Sequence, residues 1–480
     1  MEPKRPFSEA DWLATPKPVR DYVEYLERRV LELTRMDQLL SEHIQRLEKR
    51  IEELESRLNQ NSRNSNRPPS TDLPFAKPKA KAPRKKSKRK KGGQKGHKGH
   101  KQERMEPTRT QRIVPDSCPC GNTRFPAEGM EPYYTHQVIE LPEIKMDVTH
   151  FVLHRCSCTR CGRTLKARIP DPSRYGYGPR LTALLGEMSG VLGMSRENVR
   201  HFCRSVFGFP ISLGGIQRVI DRASAALAPL HEEIGRQARR ALVNHVDETS
   251  FFHQGALRWL WVLVNPNQAF YKIHPRRSRV AFEELIQDWR GVLISDDYGV
   301  YRKWFHRQTC LAHLIRRAES LTTKKDPRVK SFGRRVLSEL RQLCRWAKAP
   351  PSVDEELDWI TRFVQLLADY HQRPDAAGKL ARQLSRDLKS LWLFLDEEGV
   401  DPTNNRAERA LRYAVIWRKR SYGTQSRKGD RWVERILSVK ETCRLQSMST
   451  FQTLSKAVEA FFHGDAPQPL LLSLDQPAYP

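Results

Sequence analysis

Three carboxylates occupy positions from which they could jointly bind metal ions. Asp247 comes directly after the strand-like run 241–246, and Asp296 comes directly after the strand-like run 292–295. Side chains at the ends of neighbouring strands can point into one crevice, where two carboxylates repel each other and are stabilised by a cation between them. A third acid is usually needed, and Glu408, in a strongly basic segment, is the candidate. Two Mg²⁺ (or Mn²⁺) ions about 4 Å apart at such carboxylates could activate a hydroxyl and stabilise the leaving oxygen of a phosphodiester.

Each of these acids also has an ordinary structural interpretation. Asp247 could be a turn residue, and Asp296 could cap a helix. With Asn405 as the N-cap, Glu408 would be the third helical residue and complete a capping box. The occurrence of all three acids, and the basic surroundings of Glu408, favour the metal site.

Five of the nine cysteines lie in two short clusters. Paired thiolates at this spacing bind one tetrahedral Zn²⁺ ion in zinc ribbons. We expect the ligands to come two from each cluster, with Cys156 as an alternative ligand in the second. The expected ligands are Cys118, Cys120, Cys158 and Cys161. The other interpretation is that these cysteines pack as small hydrophobic side chains.

The order of sequence patterns predicts the elements that would position the acids. Runs at 241–246, 257–264 and 269–273 are separated by short turns and predict an antiparallel meander. A helix at 280–289 and a strand at 292–295 follow. Strands followed by helices, with carboxylates at strand ends, are typical of an RNase H-like α/β fold.

Two further regions have helical patterns. Between 179 and 234, helices joined by a short turn are compatible with a helix-turn-helix DNA reader and also with ordinary helical packing. Near the N-terminus, leucines recur every seven residues, and β-branched residues fill three of the five a positions. The leucines are Leu26, Leu33, Leu40, Leu47 and Leu54. This pattern predicts a parallel two-stranded coiled coil, and hence a homodimer.

The net charge limits the classes of partner. The chain has 480 residues, with 85 Lys and Arg against 56 Asp and Glu, a formal net charge of +29. Residues 77–101 contribute +13 and residues 402–446 contribute +8. Such an excess indicates a polyanion such as nucleic acid, although 77–101 could also be only a solvated linker. No apolar run approaches the roughly 20 residues that cross a bilayer, and no signal-peptide pattern opens the chain, so we expect an intracellular protein without disulfides.

The succession of these motifs resembles the insertion sequence 66 (IS66) family of bacterial transposases. The matching motifs, in order, are the heptad helix, Asn61–Ser70, Gly92–His100, the cysteine clusters, Tyr177–Leu181, Asp247–Thr249, Ser295–Tyr298, Cys310–Arg317, Asn404–Arg412 and Arg418–Arg420. The resemblance implies a DDE transposase, with Asp247, Asp296 and Glu408 in the catalytic positions. Asp297 stands where the family more usually has glycine, so Asp296 and Asp297 are both candidates for the second acid.

The resemblance also implies roles for basic residues and for a histidine. His313, in a Cys-x-x-His element, would support the site or contact DNA, with a core histidine as the alternative. Residues 318–401 are mostly helical in pattern, for example at 353–371 and 378–394, and the resemblance implies that they form an insertion that splits the core before the glutamate helix. The side chains predicted to contact DNA are Lys85, Lys86, Lys90, Lys91, His97, His100, Arg316, Arg317, Arg412, Arg418, Lys419 and Arg420.

These patterns together predict a multidomain chain of mixed class. Its segments are a coiled-coil dimerisation helix (1–60), a disordered basic linker (61–110), a zinc ribbon (111–172), a helical DNA-binding domain (173–236), the RNase H-like core (237–317), an α-helical insertion (318–401), the glutamate helix with C-terminal helices (402–462) and a tail (463–480). We predict a cytoplasmic, nucleoid-associated bacterial transposase that binds transposon ends and target DNA and cleaves and joins strands with Mg²⁺, with small accessory proteins of the same element as further partners. The alternative is an inactive, dimeric zinc-ribbon DNA-binding regulator derived from a transposase.

Overall fold

The computed structural model describes residues 8–58, 102–126, 128 and 130–465. The described residues fall into two units: one within 1–73, 171–195 and 218–480, and one within 74–170 and 196–217. Residues 61–101 of the predicted basic linker and residues 466–480 of the predicted tail lie outside the described residues. None of the described helices is long and apolar enough to cross a membrane.

Among the described residues, helices predominate and accompany one five-stranded sheet and one short hairpin. The helices are α1 (Glu9–Ala14), α2 (Lys17–Leu58), α3 (Pro179–Gly190), α4 (Arg196–Ser205), α5 (Leu213–Ala226), α6 (Ala228–Ala238), α7 (Arg279–Ile286), α8 (Leu311–Leu321), α9 (Pro327–Trp346), α10 (Val353–His371), α11 (Ala376–Arg386), α12 (Leu393–Asp396), α13 (Asn405–Ser421), α14 (Arg427–Leu445) and α15 (Thr450–His463). The strands are β1 (Arg155–Ser157), β2 (Thr164–Lys166), β3 (Val243–His253), β4 (Ala256–Val264), β5 (Ala269–His274), β6 (Val292–Ser295) and β7 (Arg307–Thr309).

The predicted heptad helix is present as α2, one continuous helix of 42 residues. Its five d-position leucines are exposed in the single chain, between 43% for Leu26 and 56% for Leu40. An isolated helix gains no burial energy from such leucines, so their regular spacing is unexplained by packing within this chain. The helix is confirmed, and its pairing with a second copy stays a prediction.

The sheet has the strand order β5-β4-β3-β6-β7. The strands β3, β4 and β5 form an antiparallel meander, as predicted, and β6 and β7 add in parallel on the other side of β3. Val, Ile, Leu and aromatic residues dominate β6 and the second half of β4, because both faces are buried there and β-branched and aromatic side chains pack well in such positions. The predicted strand 292–295 is β6, and the predicted helix 280–289 is the shorter α7.

One face of the sheet is covered by α13 and α14. Small side chains of α13, such as Ala407, Ala410 and Ala414, pack against Phe251 of β3 and Val262 of β4. Alanine lets a helix backbone approach a sheet closely. The early part of α13, which carries Glu408, therefore lies near β3.

The free edge of the sheet is closed by side chains of α14. The backbone amides of Ala269, Tyr271 and Ile273 on β5 donate to Thr442 Oγ1 (3.1 Å), Ser438 Oγ (3.0 Å) and Glu434 Oε1 (2.7 Å), respectively. Every second residue of a strand and every fourth residue of a helix advance by similar distances, about 6–7 Å, which lets the two rows match. Edge amides that could otherwise pair with another chain are satisfied within this one.

The segment between β7 and α13 builds a hydrophobic core of its own. Phe332, Trp359 and Phe363 are buried at its centre, with side chains of α8, α9, α10 and α11 around them. The helix predicted at 353–371 is α10, and the helix predicted at 378–394 is shorter because it stops at Arg386. A core of this kind allows the segment to fold as an insertion.

Residues 102–170 contain little regular structure apart from the β1–β2 hairpin, in which Cys156 pairs with Leu165. The predicted helical segment 173–236 is divided between the units: 171–195 and 218–236 group with the sheet, and 196–217 groups with the hairpin.

Candidate active site

Asp247 is an interior residue of β3. The prediction that the strand ends before Asp247 is wrong, because β3 continues to His253 and pairs with β4 along this whole stretch. The turn-aspartate interpretation is wrong for the same reason. Alternate residues of a strand share a face, so Asp247 faces the same side as Phe251, the side covered by α13.

Asp296 is the neighbour of Asp247 across the parallel pair β3–β6. The register pairs Val243 with Val292 and His245 with Ile294. Asp247 lies two residues after His245, and Asp296 lies two residues after Ile294, immediately after β6 ends at Ser295. The acids from two segments predicted separately therefore meet at one point of the sheet. Asp296 does not cap a helix; its Oδ1 accepts the Tyr298 amide in a local turn (2.9 Å).

The two aspartates are electrostatically strained. Burial, together with the charges of Glu248, Asp296 and Glu408, raises the pKa of Asp247 well above the usual value. Burial also raises the pKa of Asp296, although the Tyr298 amide and Arg277 oppose this. Carboxylates that resist ionisation in this way gain most from a bound cation.

Glu408 is the third acid near these aspartates. The helix α13 begins at Asn405 after Asn404, so Glu408 is its fourth residue, and the alternative interpretation of Glu408 as part of a capping box is wrong. The Glu408 carboxylate accepts from Arg316 Nη2 (2.9 Å) and lies 3.6 Å from His313 Nε2. Glu408 is thus held by α8, at the start of the inserted helices, while its charge acts on Asp247.

Asn404 fixes the start of α13 to β3. Its side chain is fully buried, its Nδ2 donates to the Val246 carbonyl (2.8 Å), and its Oδ1 lies 3.1 Å from His245 Nδ1. His245 also contacts Asp401 through Nε2 (3.3 Å). Because Val246 directly precedes Asp247, these bonds set the position of Glu408 relative to the first aspartate.

The Cys-x-x-His element, Cys310 to His313, also contacts Asn404, which joins the start of α13 to β3. The backbone amide of Asn404 donates to Cys310 Sγ (3.1 Å), and His313 Nδ1 lies 3.2 Å from the same sulfur. Burial raises the pKa of the Cys310 thiol to about 12, and burial and Arg316 lower the pKa of His313 to about 4. Both side chains are therefore neutral near pH 7, and His313 faces Glu408 as an uncharged imidazole.

Glu248 is a buried acid that the sequence analysis missed. It points to the opposite face of β3 from Asp247, where it pairs with Arg277 Nε (2.6 Å) and accepts from the Tyr301 hydroxyl. Burial and Asp296 raise the pKa of Glu248 to about 7, while Arg277 opposes the rise. Its position directly after Asp247 could have predicted this, because successive side chains of a strand point to opposite faces of the sheet.

Asp297 and Asp296 have different environments. The Asp297 side chain is only 4% exposed and forms a two-point ion pair with Arg302, at 2.8 and 2.9 Å. It is also close to Arg317 (3.6 Å) and Arg386 (3.7 Å). Asp296 is partly exposed and neighbours Asp247. The geometry therefore favours Asp296 over Asp297 as the second acid.

The residues predicted to contact DNA fall into three groups. Lys85, Lys86, Lys90, Lys91, His97 and His100 lie outside the described residues. Arg412, Lys419 and Arg420 are exposed on α13. Arg316 and Arg418 bond to Glu408 and to Ser250, respectively, and Arg317 lies 3.6 Å from Asp297.

Arg418 in particular does not fit its predicted role. It is buried, and its Nη1 donates to the Ser250 hydroxyl (2.5 Å) and carbonyl on β3. A helical position facing the sheet turns this cation inward, although its neighbours Lys419 and Arg420 face outward.

Each predicted cysteine pair forms a tight turn. The Cys118 carbonyl accepts from Gly121, and the Cys158 carbonyl accepts from Gly162, both at 2.8 Å. Hydrogen bonds from nearby amides and from the partner cysteine lower the pKa of Cys120 and of Cys158. Ionisable thiols in such turns are chemically suited to zinc.

The metal ligands are not assembled. Among the residues that the structure describes, no three or more His, Cys, Asp or Glu side chains form a group placed to hold a metal ion. The acids nevertheless fit Mg²⁺ by their chemistry, since all three offer carboxylate oxygens and the charges of Asp296 and Glu408 help to raise the pKa of Asp247. Glu408 Oε1 forms an ion pair with Arg316 at 2.9 Å.

Comparison with known proteins identifies the family of the chain that contains this site. Residues 177–431, more than half of the chain, match the model of the transposase IS66 family. The chain belongs to the IS66 transposase family. Residues 16–103 match a family of unknown function (DUF6444). A protein of Sinorhizobium fredii, described as uncharacterized protein y4hP, is 23% identical over 394 residues, which cover 70% of each chain.

The IS66 match includes all three acids and the inserted segment between them. Membership in a transposase family implies DNA as the partner and a DNA-processing role. The predicted family resemblance is thereby confirmed.

Proposed function

We propose that this IS66-family protein is a DDE transposase that uses Asp247, Asp296 and Glu408 to cleave and join DNA strands. The observation that carries the proposal is the adjacency of Asp247 and Asp296 on parallel strands, with the charge of Glu408 close enough to raise the pKa of Asp247. Acids grouped at a cost to their own ionisation are characteristic of functional sites.

The sheet supports an RNase H-like core. Its meander of three strands is followed by two parallel strands, and a helix carrying the third acid returns to the sheet after an insertion. The first two acids lie on β3 and directly after β6. This order of elements supports the RNase H-like core that the resemblance implied.

In the proposed mechanism, Asp247, Asp296 and Glu408 would hold the metal ions. Bound Mg²⁺ supplies activation of the attacking water or 3′-hydroxyl and stabilisation of the leaving oxygen. Asn404 and Cys310 position α13, and the neutral His313 faces Glu408 without adding charge to it. Arg316 and His313 both contact Oε1 of Glu408.

The exposed basic residues of α13 provide a path for DNA toward the acids. Arg412 and Lys419 follow Glu408 by four and eleven residues, spacings that place all three on one side of the helix. The row spans about 16 Å at 1.5 Å per residue. Cations along it would bind the DNA backbone, and Glu408 lies at the end of the row.

A direct test is strand cleavage of DNA that carries the inverted repeats flanking this reading frame. We expect wild-type protein to nick this DNA in Mg²⁺ and not in EDTA, and Asp296→Asn to bind it without nicking. Glu283→Gln, which changes an exposed acid of α7, is the matched control and should nick normally.

The alternative function, a regulator that binds DNA without cleaving it, gives a different result. Wild-type protein would then bind the repeats tightly in Mg²⁺ and leave them intact. Equal cleavage by wild type and Asp296→Asn would instead reject the proposed active site.

We propose that α2 forms a parallel coiled-coil homodimer. Replacing Leu33 and Leu40 by glutamine should shift the protein to monomer in sedimentation velocity, because both side chains would lie in the dimer core. Leu31 and Leu39 are equally exposed but stand outside the a and d positions, so the same replacement there should leave the dimer unchanged. A dimer that survives the first pair of substitutions would reject this interface.

We also propose one structural zinc ion held by Cys118, Cys120, Cys158 and Cys161. Protein purified without chelator should contain about one zinc per chain by mass spectrometry of metals, as expected for a four-thiolate site. Cys158→Ser should lose it, and Cys156→Ser, in the neighbouring strand, should retain it. Zinc lost only in Cys156→Ser would make Cys156 the ligand, and zinc-free wild type would reject the site.

A further inference from the structure

We propose that Arg302, Arg317 and Arg386, gathered around Asp297, bind a backbone phosphate of the DNA strand that enters the active site. The proposal rests on the function proposed above. We call these three arginines and Asp297 the arginine pocket. The pocket includes none of the three acids proposed to be catalytic.

The pocket joins three parts of the chain at one carboxylate. Arg302 follows the second candidate acid in the loop after β6, Arg317 comes from α8, and Arg386 comes from the end of α11. All three guanidinium groups lie within 3.7 Å of Asp297. The core and the inserted helices therefore meet at this point.

The charges around the pocket do not balance. Asp297 and Asp387 pair directly with these arginines, and a buried fourth arginine, Arg307, pairs with Asp387 at 3.6 Å. Asp296 also acts on Arg302 and Arg307, so four guanidinium groups, which stay charged in proteins, face three carboxylates. Burial lowers the pKa of Arg317; Arg302 and Arg386 add to this effect, and Asp297 and Asp387 oppose it. An anion bound here would relieve this repulsion.

The arginines also keep donors for a ligand. Arg302 uses Nε and Nη2 for Asp297, and Arg386 uses Nε and Nη2 for Asp387, which leaves Nη1 of each outside these pairs. Their side chains are 40% and 50% exposed. Guanidinium groups held in place by carboxylates lose little freedom when they bind phosphate, so the pocket is preorganised.

The position of the pocket points to a phosphate of the bound DNA strand. Asp297 follows Asp296 directly, and Arg307 Nη1 donates to the Asp296 carbonyl (3.2 Å). A phosphate in the pocket would therefore lie within a few nucleotides of the one cleaved. Free inorganic phosphate offers the same chemistry, and the experiment must separate the two sources.

The test compares Arg386→Gln with Arg341→Gln. Both arginines belong to the inserted helices, are about half exposed, and pair with an acid, but Arg341 pairs with Glu319 away from the pocket. Affinity for a terminal-repeat duplex is measured without Mg²⁺ over a range of salt concentrations. We expect Arg386→Gln to weaken binding at least about 10-fold and to reduce the salt slope by about one, and Arg341→Gln to change neither.

A second measurement locates the phosphate. Duplexes with single neutral methylphosphonate linkages should bind wild type more weakly at one linkage near the cleavage site. Arg386→Gln should be insensitive at that linkage and unchanged elsewhere. Circular dichroism and a normal Arg341→Gln result exclude misfolding as the cause.

Three outcomes would overturn the proposal. Arg386→Gln could keep the wild-type salt slope, the variant could keep the same sensitive linkage, or calorimetry could show Arg386-dependent binding of inorganic phosphate with no sensitive linkage in DNA. If cleavage succeeds in wild type and any of these occurs, the pocket fails while the proposed function stands. A sensitive linkage in a wild type that never cleaves would support the pocket and reject the function.

Discussion

Asp247→Asn is expected to stabilise the protein while it removes strand cleavage. Asp247 is a carboxylate held near Glu248, Asp296 and Glu408, and burial and these charges raise its pKa. An amide of the same shape removes the repulsion and keeps the strand. We expect the free energy of unfolding to rise by about 0.5–2 kcal/mol, the usual range of single stabilising substitutions.

Cleavage should change in the opposite direction. A lost metal ligand costs several kcal/mol of transition-state stabilisation, so the rate should fall at least about 10³-fold. Opposite signs for stability and activity are the signature of a residue kept for chemistry. A purely structural aspartate would lose both together.

The stability difference should grow with pH. The pKa of Asp247 is higher in the folded protein than in the unfolded chain, so the folded state binds more protons between these two values. Wild-type stability therefore falls as pH rises through that window, and Asp247→Asn lacks this contribution. Below the pKa of the unfolded chain the two proteins should have similar stability.

Urea unfolding at several pH values, with and without Mg²⁺, measures these effects. Mg²⁺ should stabilise wild type at high pH, where the acids are ionised, and have little effect on Asp247→Asn or at low pH. Glu283→Gln should behave as wild type throughout. A destabilised Asp247→Asn protein, or equal stabilisation of both proteins by Mg²⁺, would contradict the assignment.

Local patterns were enough to predict most elements of the core. The strand at 292–295 and the helix at 353–371 have their predicted bounds, because a short apolar run and a regular helical period specify them directly. Strand β3 was predicted too short. The polar run Asp247–Ser250 resembles a turn, and only pairing with β4 keeps it extended.

Contacts between distant segments could not be predicted from the sequence. Asn404 was noted as part of a motif, yet its bonds to His245 and Val246 join residues about one third of the chain apart. The orientation of Arg418 also depends on the packing of α13 on the sheet. Sequence spacing placed the three acids on separate elements, and the register of β3 with β6 explains why two of them meet.

Asp297→Ala is expected to cause a large loss of stability, unlike substitution of its neighbour Asp296. The Asp297 carboxylate is buried and balances Arg302, Arg317 and Arg386. Breaking a buried pair by removing one partner costs about 3–5 kcal/mol, and partial exposure of these arginines reduces this to roughly 2–4 kcal/mol.

The loss should appear as a lower urea midpoint for unfolding, with Asp358→Ala on the exposed side of α10 as the control. That control should change stability by less than about 0.5 kcal/mol. Asp296→Asn should be neutral or stabilising, because its carboxylate has a raised pKa and no arginine pair of this kind. A loss below about 1 kcal/mol for Asp297→Ala would show that the arginines do not depend on it. Asp297, where the family more usually has glycine, would then have no structural role that separates it from Asp296.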